Sequence, residues 1–436
     1  MRSGRAAGRV AGALGITEGQ AYTLAIGLVV ALASAMIGIP PTLRDRGGRA
    51  AAAVRPSGRS SEGSAAAVAP APTPTAVPSP TAAPGDSDVT RTDDVVGSGA
   101  TSDAVGEPGA VGPAYADGGP VGHVDPLASV AAPGAPHGIA VDPATGAFYV
   151  ATDNAGSRGG PGPSKVLRYS AAGVLEREYV VTGQPATRGA GLTGLALDGT
   201  GHAYVLDASA GRVLRLDVAS GEQTLFAMVP DVPSCTADQA ARCELSPRDG
   251  PPVLEAAAFA ASGDLLVVDA GQGIIWRLGP FGGVAIWDKS TDYLSPSQAG
   301  PSGLQFDRAG NLLVSVGSSF VALTGAVYRI AVGKDGSAGA HTQLYRSDPN
   351  AAPAGLSVGS SGRIYVTLSG SNAVVVLDPS GAVTATFTST LLSGPVGVAF
   401  RGRSILVTNL SAAPGATGGV VRVAVDETGL SLNAPA

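Results

Sequence analysis

The sequence predicts an all-β fold, a six-bladed β-propeller, and three observations carry that prediction. Gly occurs 63 times and Pro 33 times against 8 Phe and 2 Trp, which indicates many turns and tight packing. A strand–turn–strand phrase, seen as "ASGDLLVVDAGQGIIWRL" from Ala261 to Leu278, recurs six times. Successive copies lie 42 to 62 residues apart, and that spacing in a β-rich sequence is typical of propeller blades.

Each copy predicts one four-stranded blade. In the third copy the strands are Ala256–Ala260, Leu265–Val268, Ile274–Leu278 and Val284–Asp288, with turns at Gly263 and Gly282. A small residue near the channel axis anchors each copy: Gly138, Gly194, Ala256, Gly303, Gly355 and Gly397. The inner strands are rich in Val, Ile, Leu and Ala, as expected for strands buried on both faces.

The sixth copy is one strand short. After "VVRVAVDETG" (420–429) only seven residues remain, so a fourth strand does not fit. The segment Leu127–Pro133 lies upstream of the first copy and is predicted to supply the missing outer strand. That closure would remove two exposed sheet edges and make the ring one cooperative unit.

The chain before the ring predicts membrane attachment. Residues 1–20 form a basic tail, 21–39 an apolar segment and 40–122 a disordered linker, followed by the propeller over 123–436. The 19 apolar residues match the thickness of a bilayer, so a transmembrane helix or signal anchor is expected. A cleaved signal peptide is the alternative, because "ASA" at Ala33–Ala35 resembles a cleavage site.

Charge and cysteines bear on location and partners. Only 14% of residues are charged, so the sequence gives no reason to expect a nucleic-acid partner. Cys235 and Cys243 lie in one loop and are expected to form a disulfide, with free thiols as the alternative. With the Pro-rich linker (65–87), the pair favours an extracytoplasmic propeller on the cell membrane, although the arginines flanking residues 21–39 leave the orientation open.

Polar residues are predicted to converge at one mouth of the channel. The residue before each anchor shares a face with the end of the neighbouring second strand, because the two strands are antiparallel. The candidate ligand-binding residues are therefore His137, Thr193, Glu255, Ser302, Asp153, Asp207 and Asp269. The alternative for each Asp is that it caps the following turn, as in "DASAG" and "DAGQG".

His137 and Glu255 are the candidates for chemistry. Together they could act as a general acid–base pair or bind a divalent cation. The alternative for His137 is a polar lining residue without a catalytic role. "GLSVG" (355–359) has nucleophile-elbow spacing around Ser357, but no helix follows it, so that motif is discarded.

The phrases "PHGIAVD" and "GPSGLQFDRAGNLLVSV" resemble those of the senescence-marker-protein/gluconolactonase (regucalcin-like) six-bladed propellers. "YVLDASAGRVLRL" also resembles NHL-repeat blades, which are mostly binding modules. The first resemblance implies hydrolysis of sugar lactones with a divalent cation held by Glu, Asn and Asp, each just before an anchor. Here His137, Ser302 and Ala354 occupy those positions, so the resemblance does not carry the activity across.

Two function classes follow from the sequence. The first is a membrane-anchored extracytoplasmic propeller that binds a small molecule or a protein at the channel mouth without catalysis. The alternative is a metal-dependent hydrolase of lactones or small esters. The lost ligands favour the first, and the polar mouth keeps the second open.

Overall fold

The computed structural model describes residues 119–131, 134–154, 162–184, 191–236, 242–246, 249–294, 300–318, 324–410 and 418–435. These residues form six four-stranded antiparallel sheets, which confirms the six-bladed propeller. Successive sheets contact one another through their first strands, and the first strand of the last sheet packs on that of the first, so the ring is closed.

The strands follow the repeats, and we number the blades accordingly. Blade 1 holds β2 (Ala135–Val141), β3 (Phe148–Asp153), β4 (Lys165–Tyr169) and β5 (Leu175–Val180). Blade 2 holds β6 (Leu192–Leu197), β7 (His202–Asp207), β8 (Arg212–Asp217) and β9 (Gln223–Met228). Blade 3 holds β10 (Leu254–Phe259), β11 (Leu265–Asp269), β12 (Ile274–Leu278) and β13 (Val284–Lys289), followed by a 3₁₀ turn (Thr291–Tyr293).

The other three blades repeat this pattern. Blade 4 holds β14 (Pro301–Phe306), β15 (Leu312–Val316), β16 (Thr324–Val332) and β17 (Ala338–Pro349). Blade 5 holds β18 (Pro353–Val358), β19 (Ile364–Leu368), β20 (Ala373–Leu377) and β21 (Val383–Thr388). Blade 6 holds β22 (Pro395–Arg401), β23 (Ser404–Asn409), β24 (Gly419–Ala424) and, from the other end of the ring, β1 (Val124–Ser129).

The N-terminal strand closes the ring as predicted, with different bounds. β1 pairs with β24 from Val124 opposite Val423 to Ser129 opposite Gly419, so the strand begins three residues before Leu127. An ion pair of 2.6 Å between Asp125 and Arg422 spans the two strands and helps fix their register. The predicted strand extended too far towards Pro133, because the ladder ends where Ser129 pairs with Gly419, the first residue of β24.

The hydrophobic core lies between the sheets. In the described residues the buried apolar side chains form six clusters, and each cluster joins two neighbouring blades. The second strands are the most buried elements; every residue of β11 and β19 is buried. A single blade would leave these faces exposed to water, so the blades stabilise one another through the closed ring.

The predicted N-terminal elements lie outside the described residues. These are the basic tail (1–20), the apolar segment (21–39) and most of the linker (40–122), of which only residues 119–122 are described. Within the part of the chain that the structure describes, no helix has the length and hydrophobicity needed to cross a membrane.

Candidate functional site

A central channel of about 1430 Å³ runs through the ring, and the first strand of every blade contributes to its wall. We call the end near His137, Thr193, Glu255 and Ser302 the upper mouth. The opposite end, near Phe259 and Phe306, is the lower end. Between them the wall is mostly apolar, with Ala257, Leu304 and Val398 among the lining side chains.

Close approach of the first strands explains the small anchor residues. A Cβ added to Gly138 would lie 2.7 Å from the carbonyl oxygen of Thr193, and one added to Gly194 would lie 2.6 Å from that of Glu255. Atoms do not approach so closely, so a side chain at either position would push two blades apart. Blade 3 is the exception, because Ala256 carries a Cβ at this position.

Side chains from one blade donate hydrogen bonds to the first-strand carbonyls of the next. His137 Nδ1 lies 2.8 Å from the Thr193 carbonyl oxygen, Thr193 Oγ1 donates to Leu254 (2.5 Å) and Ser302 Oγ donates to Pro353 (3.1 Å). Three of the predicted mouth residues therefore hold the ring together. For Thr193 and Ser302 this contact uses the only hydroxyl proton, which weakens their case as ligand donors.

Three further residues make such contacts, and sequence reasoning missed them. Ser315 donates to Ala354, Thr367 donates to Val396 (2.8 Å) and Thr408 donates to His137 (2.5 Å), always to the backbone carbonyl. The signal was present, because each is a Ser or Thr at the penultimate position of its second strand, in copies that end in Val, Leu or Asn instead of Asp. We call all six side chains the blade staples.

His137 and Glu255 face each other across the upper mouth. Their closest atoms, His137 Nε2 and Glu255 Oε2, are 3.8 Å apart, and each side chain is 18% exposed. A carbonyl oxygen can only accept, so the contact with Thr193 requires a proton on His137 Nδ1. In the neutral imidazole, Nε2 therefore carries the lone pair and can accept a proton beside a carboxylate.

The three predicted Asp residues do not contribute to the channel wall. Asp207 is fully buried and binds Arg212 Nε at 2.8 Å and Gln184 Nε2 at 3.0 Å. Asp153 is 7% exposed and also stays out of the wall. This placement corrects the expectation that these carboxylates join the mouth.

Asp269 shows the turn-capping alternative in full. Its carboxylate accepts from the backbone N–H groups of Val253 (2.8 Å), Gly271 (3.0 Å) and Gln272 (3.1 Å), and from Trp276 Nε1 (3.0 Å). Burial raises the pKa of Asp269, and these donors oppose the rise. All of its hydrogen-bonding capacity is directed into blade 3, so the side chain organises the turn between β11 and β12.

The residues at the mouth do not fit a calcium-type ion. Such an ion takes six to eight oxygen ligands, whereas the positions expected to supply them hold His137, Ser302 and Ala354. Nowhere in the described residues do three or more His, Cys, Asp or Glu side chains come together to hold a metal. His137 and Glu255 alone supply two donors of different kinds.

The predicted disulfide is confirmed. Cys235 and Cys243 are bonded in the loop that joins blades 2 and 3. Lys289 Nζ donates to the Cys243 carbonyl oxygen at 3.1 Å and so links this loop to β13.

Comparison with known proteins gives the fold a wider context. No protein-family model and none of the curated proteins matches the sequence. Among solved structures, a protein provisionally assigned as a gluconolactonase has a TM-score of 0.50 at 17% identity, covering 71% of this chain and 94% of that one. The calcium-binding protein regucalcin from Agrobacterium tumefaciens strain C58 has a TM-score of 0.50 at 16% identity, covering 69% and 92%. The chain therefore shares the six-bladed propeller fold of gluconolactonase and regucalcin structures.

Proposed function

We propose that this protein hydrolyses lactones or similarly small esters in its central channel, with His137 as the general base. The observation that carries the proposal is the His137–Glu255 pair, 3.8 Å apart at the mouth of an apolar channel. The shared fold supports it, because one of the two neighbours is provisionally assigned as a gluconolactonase. An apolar pocket with a few converging polar groups is also what a small-molecule site needs.

The geometry supplies a simple route. His137 Nε2 takes a proton from a water molecule, whose oxygen attacks the carbonyl carbon of the lactone. When the tetrahedral intermediate collapses, the ring C–O bond breaks and the imidazolium returns its proton to the departing alkoxide. The water is thereby split between the acid and alcohol products, and His137 regains its starting state.

Glu255 and Thr193 have supporting roles in this route. The Thr193 carbonyl holds the proton on Nδ1, which keeps Nε2 directed at the channel. The Glu255 carboxylate stabilises the imidazolium that forms when Nε2 takes the proton. Because the residues present do not fit a calcium-type ion, no step passes through a metal.

A non-catalytic binding module is the second candidate. The observation that favours it is the apolar character of the mouth at blades 5 and 6, where Ala354 and Val396 line the channel. Such a module would bind a small molecule or protein at the upper mouth and release it unchanged. Its binding would depend on the channel shape more than on the imidazole of His137.

Hydrolysis assays separate the two candidates. The purified protein is incubated with a panel of γ- and δ-lactones and phenyl acetate, together with His137→Ala and His123→Ala variants. His123 is the matched control because its side chain is 49% exposed and pairs with Asp125, away from the channel. We expect turnover that falls about 100-fold or more in His137→Ala and is unchanged in His123→Ala. No turnover by the wild type, with lactone binding retained, would favour the binding module.

We propose further that the propeller lies on the extracytoplasmic side of a cell membrane and is attached through residues 21–39. The apolar segment and the Cys235–Cys243 disulfide support this location, since disulfides persist in oxidising compartments. Protease treatment of intact cells tests it. A C-terminal tag should be removed, and a protected tag would contradict the proposal.

A further inference from the structure

The chain after β24 stays with the ring. Leu430 N–H donates to the Val358 carbonyl oxygen at 2.8 Å, and Ser360 N–H donates to the Thr428 carbonyl oxygen at 2.8 Å. Further along, Asn433 Nδ2 donates to the carbonyl oxygen of Phe259 at 3.0 Å. We call residues 427–435 the strap, and its residues 428–434 line the central channel.

A buried carboxylate fixes the start of the strap. Glu427 is 8% exposed and its oxygens contact Arg363 Nε (2.6 Å), Ser361 N–H (2.7 Å) and Tyr365 O–H (2.9 Å). Burial by itself would raise the pKa of Glu427, but the hydrogen bonds from Ser361 and Tyr365 and the charge of Arg363 outweigh it, and the pKa is lowered. The strap follows the last strand of blade 6, and Glu427 fixes its first residue to blade 5.

The contacts place the strap at the lower end of the channel. Phe259 and Val358 are the last residues of β10 and β18, whereas Glu255 lies near the beginning of β10. Phe259 lies four positions beyond Glu255 along the strand, a distance of about 13 Å. Leu430 contacts blade 5 and Asn433 contacts blade 3, and blade 4 lies between these two blades in the ring. The strap consequently spans the lower end of the channel from blade 5 to blade 3.

We propose that the strap closes the lower end, so that the channel is a blind pocket entered at the upper mouth and selective for the length of its ligand. This inference rests on the proposed function, because it defines the lactones that fit. A lactone ring held beside His137 can carry an alkyl tail that reaches towards the strap. A longer tail meets the strap and has no second exit.

The test compares lactone binding with and without the end of the strap. Deleting residues 431–436 removes the part that crosses to blade 3 and keeps both the Glu427 contacts and Leu430, which packs on the core. The deletion is made in the His137→Ala background, so that the ligand is not consumed. γ-Lactones with alkyl tails from methyl to dodecyl are titrated by calorimetry.

We expect the affinity of the full-length background for the dodecyl lactone to be about tenfold lower than for the butyl lactone, and this penalty to vanish in the deletion. Equal dependence on tail length in both proteins would overturn the inference, whatever the hydrolysis assays show. Absence of binding by any lactone would overturn both the strap inference and the proposed function. Turnover assays on the wild type are separate, so loss of turnover alone counts only against the proposed function.

Hydrogen exchange tests the docking of the strap without any ligand. The amides of Leu430 and Ser360 should exchange about 100-fold more slowly than unstructured amides, because both are bonded within the ring. Exchange at unprotected rates would show that the strap is undocked and would overturn the inference. Asn433→Ala in the otherwise intact chain removes only the contact with Phe259 and should leave both amides protected.

Discussion

The two halves of the ring close the channel wall by different means. In blades 1 and 2 the staples come from the first strands, where His137 and Thr193 reach the next blade. In blades 4 to 6 hydroxyls on the second strands, Ser315, Thr367 and Thr408, make the equivalent contacts. Blade 4 uses Ser302 as well.

This difference determines which side of the upper mouth carries polar side chains. When the second strand supplies the staple, the residue before the anchor is free to be apolar, as Ala354 and Val396 are. When it does not, polar first-strand side chains stay at the mouth, and His137 and Glu255 come together there. The mouth is thus polar on one side and apolar on the other, as suits a molecule with a carbonyl at one end.

The anchor positions should give the largest contrast in stability. A Cβ at Gly355 would collide with the carbonyl oxygen of Val396 in the next blade. We expect Gly355→Ala to lower the free energy of unfolding by about 1 to 3 kcal/mol in urea denaturation. Gly283→Ala is the matched control, since no heavy atom lies within 4 Å of its Cβ position. Equal effects of the two substitutions would refute the close-approach explanation.

Substitutions of two second-strand staples should have similar effects on stability but different effects on activity. Thr408→Val leaves the His137 carbonyl without this donor, and Thr367→Val does the same for Val396. Each should cost about 1 to 2 kcal/mol of unfolding free energy. Only Thr408 holds the backbone of His137, so only Thr408→Val should also lower kcat/KM for the lactone. A parallel loss of activity in Thr367→Val would contradict this division.

The buried Glu427 should stabilise the folded protein at neutral pH and lose this effect in acid. Because the pKa of Glu427 is lowered from its ordinary value of 4.5, its stabilising charge is present above that pH and is lost as the pH falls through the folded-state value. Wild type and Glu427→Gln should therefore differ in Tm at pH 7 and converge in acid. A Tm difference that grows on acidification would have the wrong sign.

The buried Glu244, in the loop between blades 2 and 3, should change stability with pH in the opposite sense. Burial raises the pKa of Glu244 to about 7, and Asp249 and Asp269 add to the rise. The folded state keeps a proton that the unfolded chain releases near pH 4.5, so stability falls as the pH rises from about 4.5 to about 7. Glu244→Gln should flatten this part of the Tm–pH curve. An unchanged slope would show that other groups cause it.

Most of the fold could be predicted from the sequence. Each blade depends on local signals, such as the turns at Gly263 and Gly282 and the apolar second strands, so the repeat count gave the blade number. Closure followed because blade 6 lacked a strand and one apolar segment remained. The bounds of β1 were less predictable, since pairing with β24 and not the local sequence sets them.

The site was predictable only in part. His137 and Glu255 were found because the repeat places them next to an anchor residue. The roles of Asp207 and Asp269 could not be predicted from the sequence. A carboxylate at the end of a second strand can face the channel, or it can bind an Arg, a Trp or a backbone N–H group within its own blade. The strap was missed entirely, since residues after the last repeat carry no periodic signal and its position depends on long-range contacts of Glu427 and Asn433.

The central claim is that His137 and Glu255 act without a calcium-type ion, and chelation tests it most directly. Lactone hydrolysis is measured on wild type and Glu255→Gln after exhaustive dialysis against EDTA, with and without added Ca²⁺. We predict that wild type keeps its turnover after dialysis, that Ca²⁺ adds nothing, and that Glu255→Gln is about tenfold slower in both conditions. Turnover that disappears with EDTA and returns with Ca²⁺ would contradict the account.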